Sequence, residues 1–243
     1  MHRIRAVFFD FYNTIARFDP PREETQAQAS ARFGIQVDST AVSRSYQIAD
    51  EFLSRENEAQ ALAQRSRDEV GIFWSRYEQL LLSGAGVEVD LETAGKIFAA
   101  VREVGEGFVL FADADPTLRA LREMGYRVGL ISNMNDDLWA LSKNLGIAEH
   151  LQCAVTSGDV GAAKPNPPIF LEALKLTGTA ADETVHIGDQ YLGDIAGARG
   201  VGIQPILIDR DGSQAKDVDC PVIQTLEEVP DLLEVFKATG RPG

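Results

Sequence analysis

The chain has 243 residues, 44% hydrophobic and 25% charged, a balance that excludes a disordered or fibrous polypeptide and suits one large α/β domain or a core with an inserted domain. Its formal net charge of −14 argues against nucleic-acid binding, because such a surface repels phosphodiester backbones; small anionic substrates stay open where a cation reverses the field locally. The two cysteines, Cys153 and Cys220, form no Cys-x-x-Cys pair, so neither a zinc knuckle nor a disulfide scaffold is supported.

The first apolar run, Arg3 to Phe9 in "RIRAVFFDFYNTI", reads as a buried strand whose carboxyl end displays Asp10. It lacks the long apolar stretch and small-residue cleavage site of a secretory signal. No later segment reaches the roughly 18 uninterrupted apolar residues of a membrane span. A cytoplasmic location, away from membranes, is expected by default.

From about Glu23 to Glu106 the chain is rich in Ala, Gln, Arg, Glu and Leu, with apolar residues at helical spacing, predicting four helices and no strand. Phe73, Trp74, Tyr77, Leu80 and Leu81 form the clearest stripe, read as packing rather than as a ligand box. From Phe111 strands and helices alternate. "YRVGLIS", "QCAVTS", "TVHIGD" and "QPILID" read as strands; "DDLWALSKNLG", "PPIFLEALKLTG" and "LEEVPDLLEVF" read as helices. Such repeated units predict a parallel sheet with helices on both faces, a Rossmann-like α/β core. The expected layout is a core of residues 1–16 and 110–243 and an all-helical insert over 17–109.

In open parallel sheets ligands bind beyond the carboxyl ends of the strands. Those ends carry Asp10, then Ser132 with Asn133, then Lys164 in the following loop, then Gly188 and Asp189 with Asp194 five residues on. A carboxylate can attack phosphorus covalently, Mg²⁺ takes hard oxygen ligands, and lysine with a hydroxyl can hold phosphoryl oxygens. Singly, each has a dull alternative: Asp194 could cap the helix "IAGARG", and Lys164 could be solvated. His186, among apolar neighbours, reads as a satisfied core residue. Together, in order, the set suits transfer of an anionic group.

These residues resemble the haloacid-dehalogenase superfamily over nearly the whole chain. The first motif is similar to Asp10-Phe11-Tyr12-Asn13-Thr14, the second to "LISN" with Ser132, and the third to Lys164 in "KPNPPIF". The fourth is similar to Gly188, Asp189, Asp194, Gly197 and Ala198. The resemblance implies a helical cap between the first and second motifs, with hinges near Arg17 to Pro21 and Gly105 to Leu110. It implies Mg²⁺ on Asp10, the Tyr12 carbonyl, Asp189 and Asp194. Asp10 would be the nucleophile, Tyr12 and Lys164 would assist catalysis, and Thr14, Ser132, Asn133 and Lys164 would bind substrate.

The departure is Tyr12, where the superfamily's phosphatases carry an Asp that serves as acid and base. A phenol with a reference pKa of about 10 is a poor base near neutrality, and losing that help costs roughly 10²–10⁴ in rate. Asp-x-Tyr is the pattern of the 2-haloacid dehalogenases, whose halide leaves unprotonated, but those carry Gly where Asn13 stands and lack the pair Gly188-Asp189. Three readings follow: a Mg²⁺-dependent phosphatase for a small anionic metabolite, slowed by Tyr12; a metal-free 2-haloacid dehalogenase; and a catalytically weak binding or regulatory member. The two aspartates outweigh the single tyrosine. Arg17, Arg44 and Arg76 are too weakly marked to serve as halide ligands, and nothing in the sequence specifies an oligomeric state.

Overall fold

Four residues without a polar side chain, Ala6–Phe9, are wholly buried and form strand β1 at the centre of the sheet. A strand covered on both faces reads as a continuous apolar run, and burying Phe8 and Phe9 stabilises the fold by about 1.5–3 kcal/mol each. The computed structural model describes residues 3–60, 62–104, 107–212 and 218–239. After β1 come β2 (Ala16–Asp19), then α1 (Arg22–Ala31), α2 (Ser39–Ala59), α3 (Arg67–Gly84) and α4 (Leu91–Val104), then β3 (Gly107–Leu110). The alternating part follows as α5 (Ala114–Glu123), β4 (Arg127–Ser132), α6 (Leu138–Asn144), β5 (Cys153–Thr156), α7 (Ser157–Val160) and α8 (Pro167–Thr177). It ends with β6 (Thr184–Gly188), α9 (Gly197–Gly200), β7 (Gln204–Ile208), β8 (Val222–Ile223) and α10 (Val229–Thr239).

Six strands pair in parallel in the order β5-β4-β1-β6-β7-β8. The chain builds leftward from β1 to β4 and β5, then returns to add β6, β7 and β8 on the other side. The order therefore reverses between β1 and β6, the kind of crevice where doubly wound sheets bind ligands. Ala6, Phe8, Ile131, Val155, Phe170 and Ala173 are among the buried residues packing α8 onto the sheet.

The chain divides into two compact units, Met1–Arg17 with Leu110–Gly243, and Phe18–Val109. The fold class expected from the sequence holds: a parallel-sheet α/β core with an inserted helical domain. Between 23 and 106 the described residues form helices and no strand. The sequence reading misses the two-stranded ribbon of β2 and β3 at the roots of the insert, where the rings of Phe18 and Phe108 lie 4.7 Å apart. Both strands have four residues, too short for a period to declare itself. These are also the segments named as hinges; Gly105 and Glu106, like His2, lie outside the described residues.

Within the insert, α3 packs between α2 and α4. Its buried arc runs through Phe73, Tyr77, Glu78, Leu81 and Leu82. At 3.6 residues per turn that arc is broader than the expected stripe and rotated from it, and Leu80 falls past its edge, 36% exposed. Rings stack between Phe52 and Phe73 at 5.2 Å and between Trp74 and Phe98 at 4.9 Å. Among the described residues no helix is long and apolar enough to cross a membrane.

Candidate active site

The register places Phe9 beside Leu130 of β4 and Ile187 of β6, so Asp10 emerges one residue beyond the paired stretch, at the reversal point. Its N–H still donates to the Ile187 carbonyl at 2.8 Å, which fixes the start of the side chain. A tight turn follows: the N–H groups of Ile15 and Ala16 both donate to the Phe11 carbonyl at 2.9 Å. Asn13 stands at φ 60°, the left-handed region, and donates its N–H to Ala16 at 2.7 Å. Asn tolerates that conformation better than other residues with a Cβ, so it can occupy a position where glycine would be at ease.

Lys164 reaches this strand end from the loop before α8. Its Nζ lies 2.5 Å from Asp10 Oδ1 and 2.6 Å from Asp194 Oδ1, with all three side chains buried. Burial pushes the Asp10 carboxyl up, to about 6, against the pull of Lys164 and with the help of the Asp194 charge. Burial also works against ionised Asp194, but the Lys164 charge and the His186 hydrogen bond prevail and hold it at about 2. For Lys164 burial favours the neutral amine, yet the two carboxylates override it and raise the group above the ordinary lysine range. The result is a lysine locked in its charged form between two aspartates.

Asp194 does not cap a helix. It sits in a single π-helical stretch, Tyr191–Ala196, whose wide turn carries its carboxylate back over the end of β6. The Gln190 N–H donates to Asp194 Oδ2 at 3.1 Å. Gly188 is required there, because a Cβ would fall inside the Asp194 carboxylate. Gly197 is required next, since a Cβ would press on the Phe170 ring at 2.8 Å and on Pro165 Cα at 2.9 Å. His186 Nε2 lies 2.9 Å from Asp194 Oδ1. A carboxylate only accepts, so Nε2 carries the proton, while Nδ1 is buried without a partner among the described residues. Burial lowers the His186 pKa despite Asp194, which keeps the ring neutral.

The remaining expected residues fall differently. The Asn133 side chain takes the N–H of Lys164 at 2.7 Å and donates to the Lys164 carbonyl at 3.0 Å, so it holds the lysine's own peptide. Ser132 ends β4, buried, two residues past the partner of Phe9. Thr14 is wholly buried and its hydroxyl has no partner among the described residues. Tyr12 is half-buried on the turn, and Arg17, Arg44 and Arg76 are exposed. The sequence reading missed the tie between His186 and Asp194; the signal available was a polar side chain in the middle of an apolar, doubly covered strand, which must find a partner.

Oxygen atoms of Asp10, Asp189 and Asp194 lie within 4.8 Å of one another. Three hard oxygen donors so close together suit a divalent cation such as Mg²⁺, which is held by one or two carboxylates together with waters and substrate oxygens.

A family model for haloacid dehalogenase-like hydrolases matches residues 4–202. Haloacid dehalogenase-like hydrolase domain-containing protein 3 of Danio rerio is 34% identical over 132 residues, 53% of this chain and 54% of that relative, so the match spans about half its length. Glyceraldehyde 3-phosphate phosphatase of Methanopyrus kandleri is 28% identical over 98% of this chain and 99% of its own. Phosphoserine phosphatase of Thermus thermophilus is 33% identical over 61% of each chain. Among solved structures, a Bacillus subtilis HAD-hydrolase, YfnB, bound to magnesium, aligns with a TM-score of 0.69 at 21% identity, over 96% of this chain and 99% of that one. A 2-haloacid dehalogenase of Pseudomonas syringae aligns with a TM-score of 0.58 at 26% identity, over 96% and 99%. The strand-end carboxylates, the lysine between them and these matches lead to one assignment: the chain belongs to the haloacid dehalogenase-like hydrolases.

Proposed function

We propose that this hydrolase is a Mg²⁺-dependent phosphatase acting on a small phosphorylated metabolite in the cytoplasm, with Asp10 as the covalent nucleophile. The observation that carries the reading is the cluster of Asp10, Asp189 and Asp194, with Lys164 bound between Asp10 and Asp194. With its carboxylates ionised that cluster carries more negative than positive charge, and an anionic substrate needs a divalent cation there to approach. A carboxylate displacing halide has no use for two further carboxylates beside it.

Asp10, Asp189, Asp194 and the Tyr12 carbonyl would hold Mg²⁺, which when bound neutralises charge on the phosphoryl oxygens. One Asp10 oxygen attacks phosphorus, the bond to the leaving oxygen breaks, and that oxygen takes a proton from the Tyr12 phenol or from water. Water then attacks the phosphorus of the aspartyl phosphate, its proton returning to the Tyr12 phenolate or passing to solvent, and the P–O bond to Asp10 breaks to release inorganic phosphate and the free carboxylate. Lys164 and Ser132 hold phosphoryl oxygens, and Asn133 fixes Lys164. Thr14, whose buried hydroxyl has no partner among the described residues, would offer it to the substrate. Because Tyr12 is a weak proton donor and a weaker base, substrates with acidic leaving groups are favoured. The relatives named as phosphatases of glyceraldehyde 3-phosphate and phosphoserine support a small phosphomonoester.

Tyr12 and the likeness to a 2-haloacid dehalogenase favour a second reading, halide displacement by Asp10 without metal. One experiment separates the two: p-nitrophenol release from p-nitrophenyl phosphate with Mg²⁺ and with EDTA, in wild type and Asp10→Asn. Turnover that needs both Mg²⁺ and Asp10 supports the phosphatase, and Asp10→Asn should lose roughly 10⁴-fold or more. No turnover, with chloride released from 2-chloropropionate in EDTA, overturns it in favour of the dehalogenase.

A further inference from the structure

Two residues past the end of β7, Arg210 makes a set of contacts that the site above does not use. Its Nη1 and Nη2 each lie 3.0 Å from an oxygen of Asp113, a two-pronged ion pair in which the side chains are 20% and 11% exposed. The same Nη2 donates to the Thr14 carbonyl at 2.7 Å. The guanidinium lies over the Phe111 ring, 3.8 Å from its centre, and the Phe111 N–H donates to the Ile15 carbonyl at 3.0 Å. Asp113 Oδ2 accepts a further hydrogen bond from the Leu226 N–H at 2.9 Å.

Within the turn after the nucleophile, hydrogen bonds run to the Phe11 carbonyl and from Asn13 to Ala16. Arg210 and Phe111 tie its far end, the carbonyls of Thr14 and Ile15, to the rest of the core domain. A surface ion pair is worth little, but a half-buried planar fork that satisfies a carboxylate and a backbone carbonyl together fixes geometry as well as charge. The Thr14 hydroxyl has no partner among the described residues, and it is the Thr14 backbone carbonyl that Arg210 grips.

We infer that Arg210, held by Asp113 and Phe111, is a positioning residue that sets the Asp10–Ala16 turn. It touches no substrate; it keeps Asp10 and the Tyr12 carbonyl at the height the reaction needs. In its kinetic consequence the inference rests on the phosphatase reading, whereas its structural consequence does not.

The test compares wild type, Arg210→Met and Arg210→Lys by amide hydrogen exchange and by p-nitrophenyl phosphate kinetics with Mg²⁺. Methionine keeps the stem without donors, and lysine keeps the charge but cannot serve both Asp113 oxygens and Thr14 at once. Exchange at residues 13–16 and 111 should rise by roughly tenfold or more in Arg210→Met, with β4 and β5 unchanged, as expected when a tether to a charged donor is lost. The kcat should fall by up to about 10²-fold with KM near that of wild type, and Arg210→Lys should recover part of both. If Arg210→Met does not fold, Arg210→Lys carries the same comparison. Unchanged exchange at 13–16, a loss of protection spread evenly over all strands, or a kcat within twofold of wild type beside raised exchange would each overturn the inference. A wild type inactive on this substrate counts against the phosphatase reading alone, and the exchange pattern then decides.

Discussion

Asp194 in the core and Glu78 in the helical insert are each 1% exposed, yet one is held at about 2 and the other is pushed up to about 7. Asp194 faces the Lys164 ammonium, the His186 ring N–H and the Gln190 N–H. Among the described residues Glu78 is hydrogen-bonded by an amide: Gln26 Nε2 donates to Glu78 Oε1, and burial, the larger influence, outweighs that bond. Equal burial thus has opposite outcomes, because a carboxylate taken from water keeps its charge only where a cation or several donors replace the water. In the core the charged carboxylate is bound to Lys164; in the insert the carboxyl of Glu78 links α3 to α1 through Gln26.

The comparison breaks most visibly at Lys164. In Lys164→Met, Asp10 and Asp194 become buried carboxylates without their cation, the condition Glu78 is already in. Removing one member of a buried ion pair should cost about 3–5 kcal/mol. The loss should also acquire the pH dependence of a raised carboxyl, growing from pH 5 to pH 8 as the unfolded chain ionises and the folded one resists. Urea unfolding at the two pH values measures both effects. A loss below about 1 kcal/mol, equal at both pH values, would mean that solvent rather than Lys164 satisfies the pair.

Glu78→Gln tests the other side. The folded-state pKa of Glu78 lies above its unfolded value of 4.5, so the stability the neutral acid contributes is fully present below about pH 4.5. It is lost as pH rises toward about 7, after which the curve is flat. Glutamine keeps the oxygen that accepts from Gln26 and has no proton to lose. The variant should therefore match wild type near pH 4.5 and exceed it by about 2–3 kcal/mol at pH 8. Parallel stability curves for the two proteins across that range would show that Glu78 is not the titrating group.

How much of this was legible in the sequence follows from the same contrast. Asp10 and Asp189 could be found because each directly follows an apolar run that reads as a buried strand, and parallel strand ends converge; Lys164 and Asp194 lie in the segments that follow such strands. The insert had no such anchor: helical spacing marks a face but not its width, so Glu78 went unremarked and Leu80 was grouped with the buried Leu81. Partnerships were harder to read than positions. Asn133 stands next to Ser132, where a substrate contact is natural, but its amide matches the Lys164 peptide 31 residues on. Arg210 and Asp113 are 97 residues apart, and only the return of β7 beside β6 brings that end of the chain to the nucleophile turn. Strands as short as β8, two residues, carry no period at all.

Tyr77 is the immediate neighbour of Glu78 and supplies the smallest and cleanest contrast. Its hydroxyl donates to Asp50 Oδ1 at 2.6 Å, and Asp50 is paired with Arg22 at 2.9 Å, so this carboxylate of the insert has the cation that Glu78 lacks. Burial, and then the Asp50 charge, hold the Tyr77 phenol well above its ordinary range, so it stays protonated throughout the pH interval in which Glu78 titrates. Tyr77→Phe removes one hydrogen bond to a charged group and should cost about 1.5 kcal/mol, the same at pH 5.5 as at pH 8. Combined with Glu78→Gln, the two effects should separate by pH alone: a constant offset from position 77 and a pH-dependent gain from position 78. A Tyr77→Phe cost that itself changed with pH would show that the two sites share one proton across α3, and the contrast between a paired and an unpaired carboxylate would no longer hold within the insert.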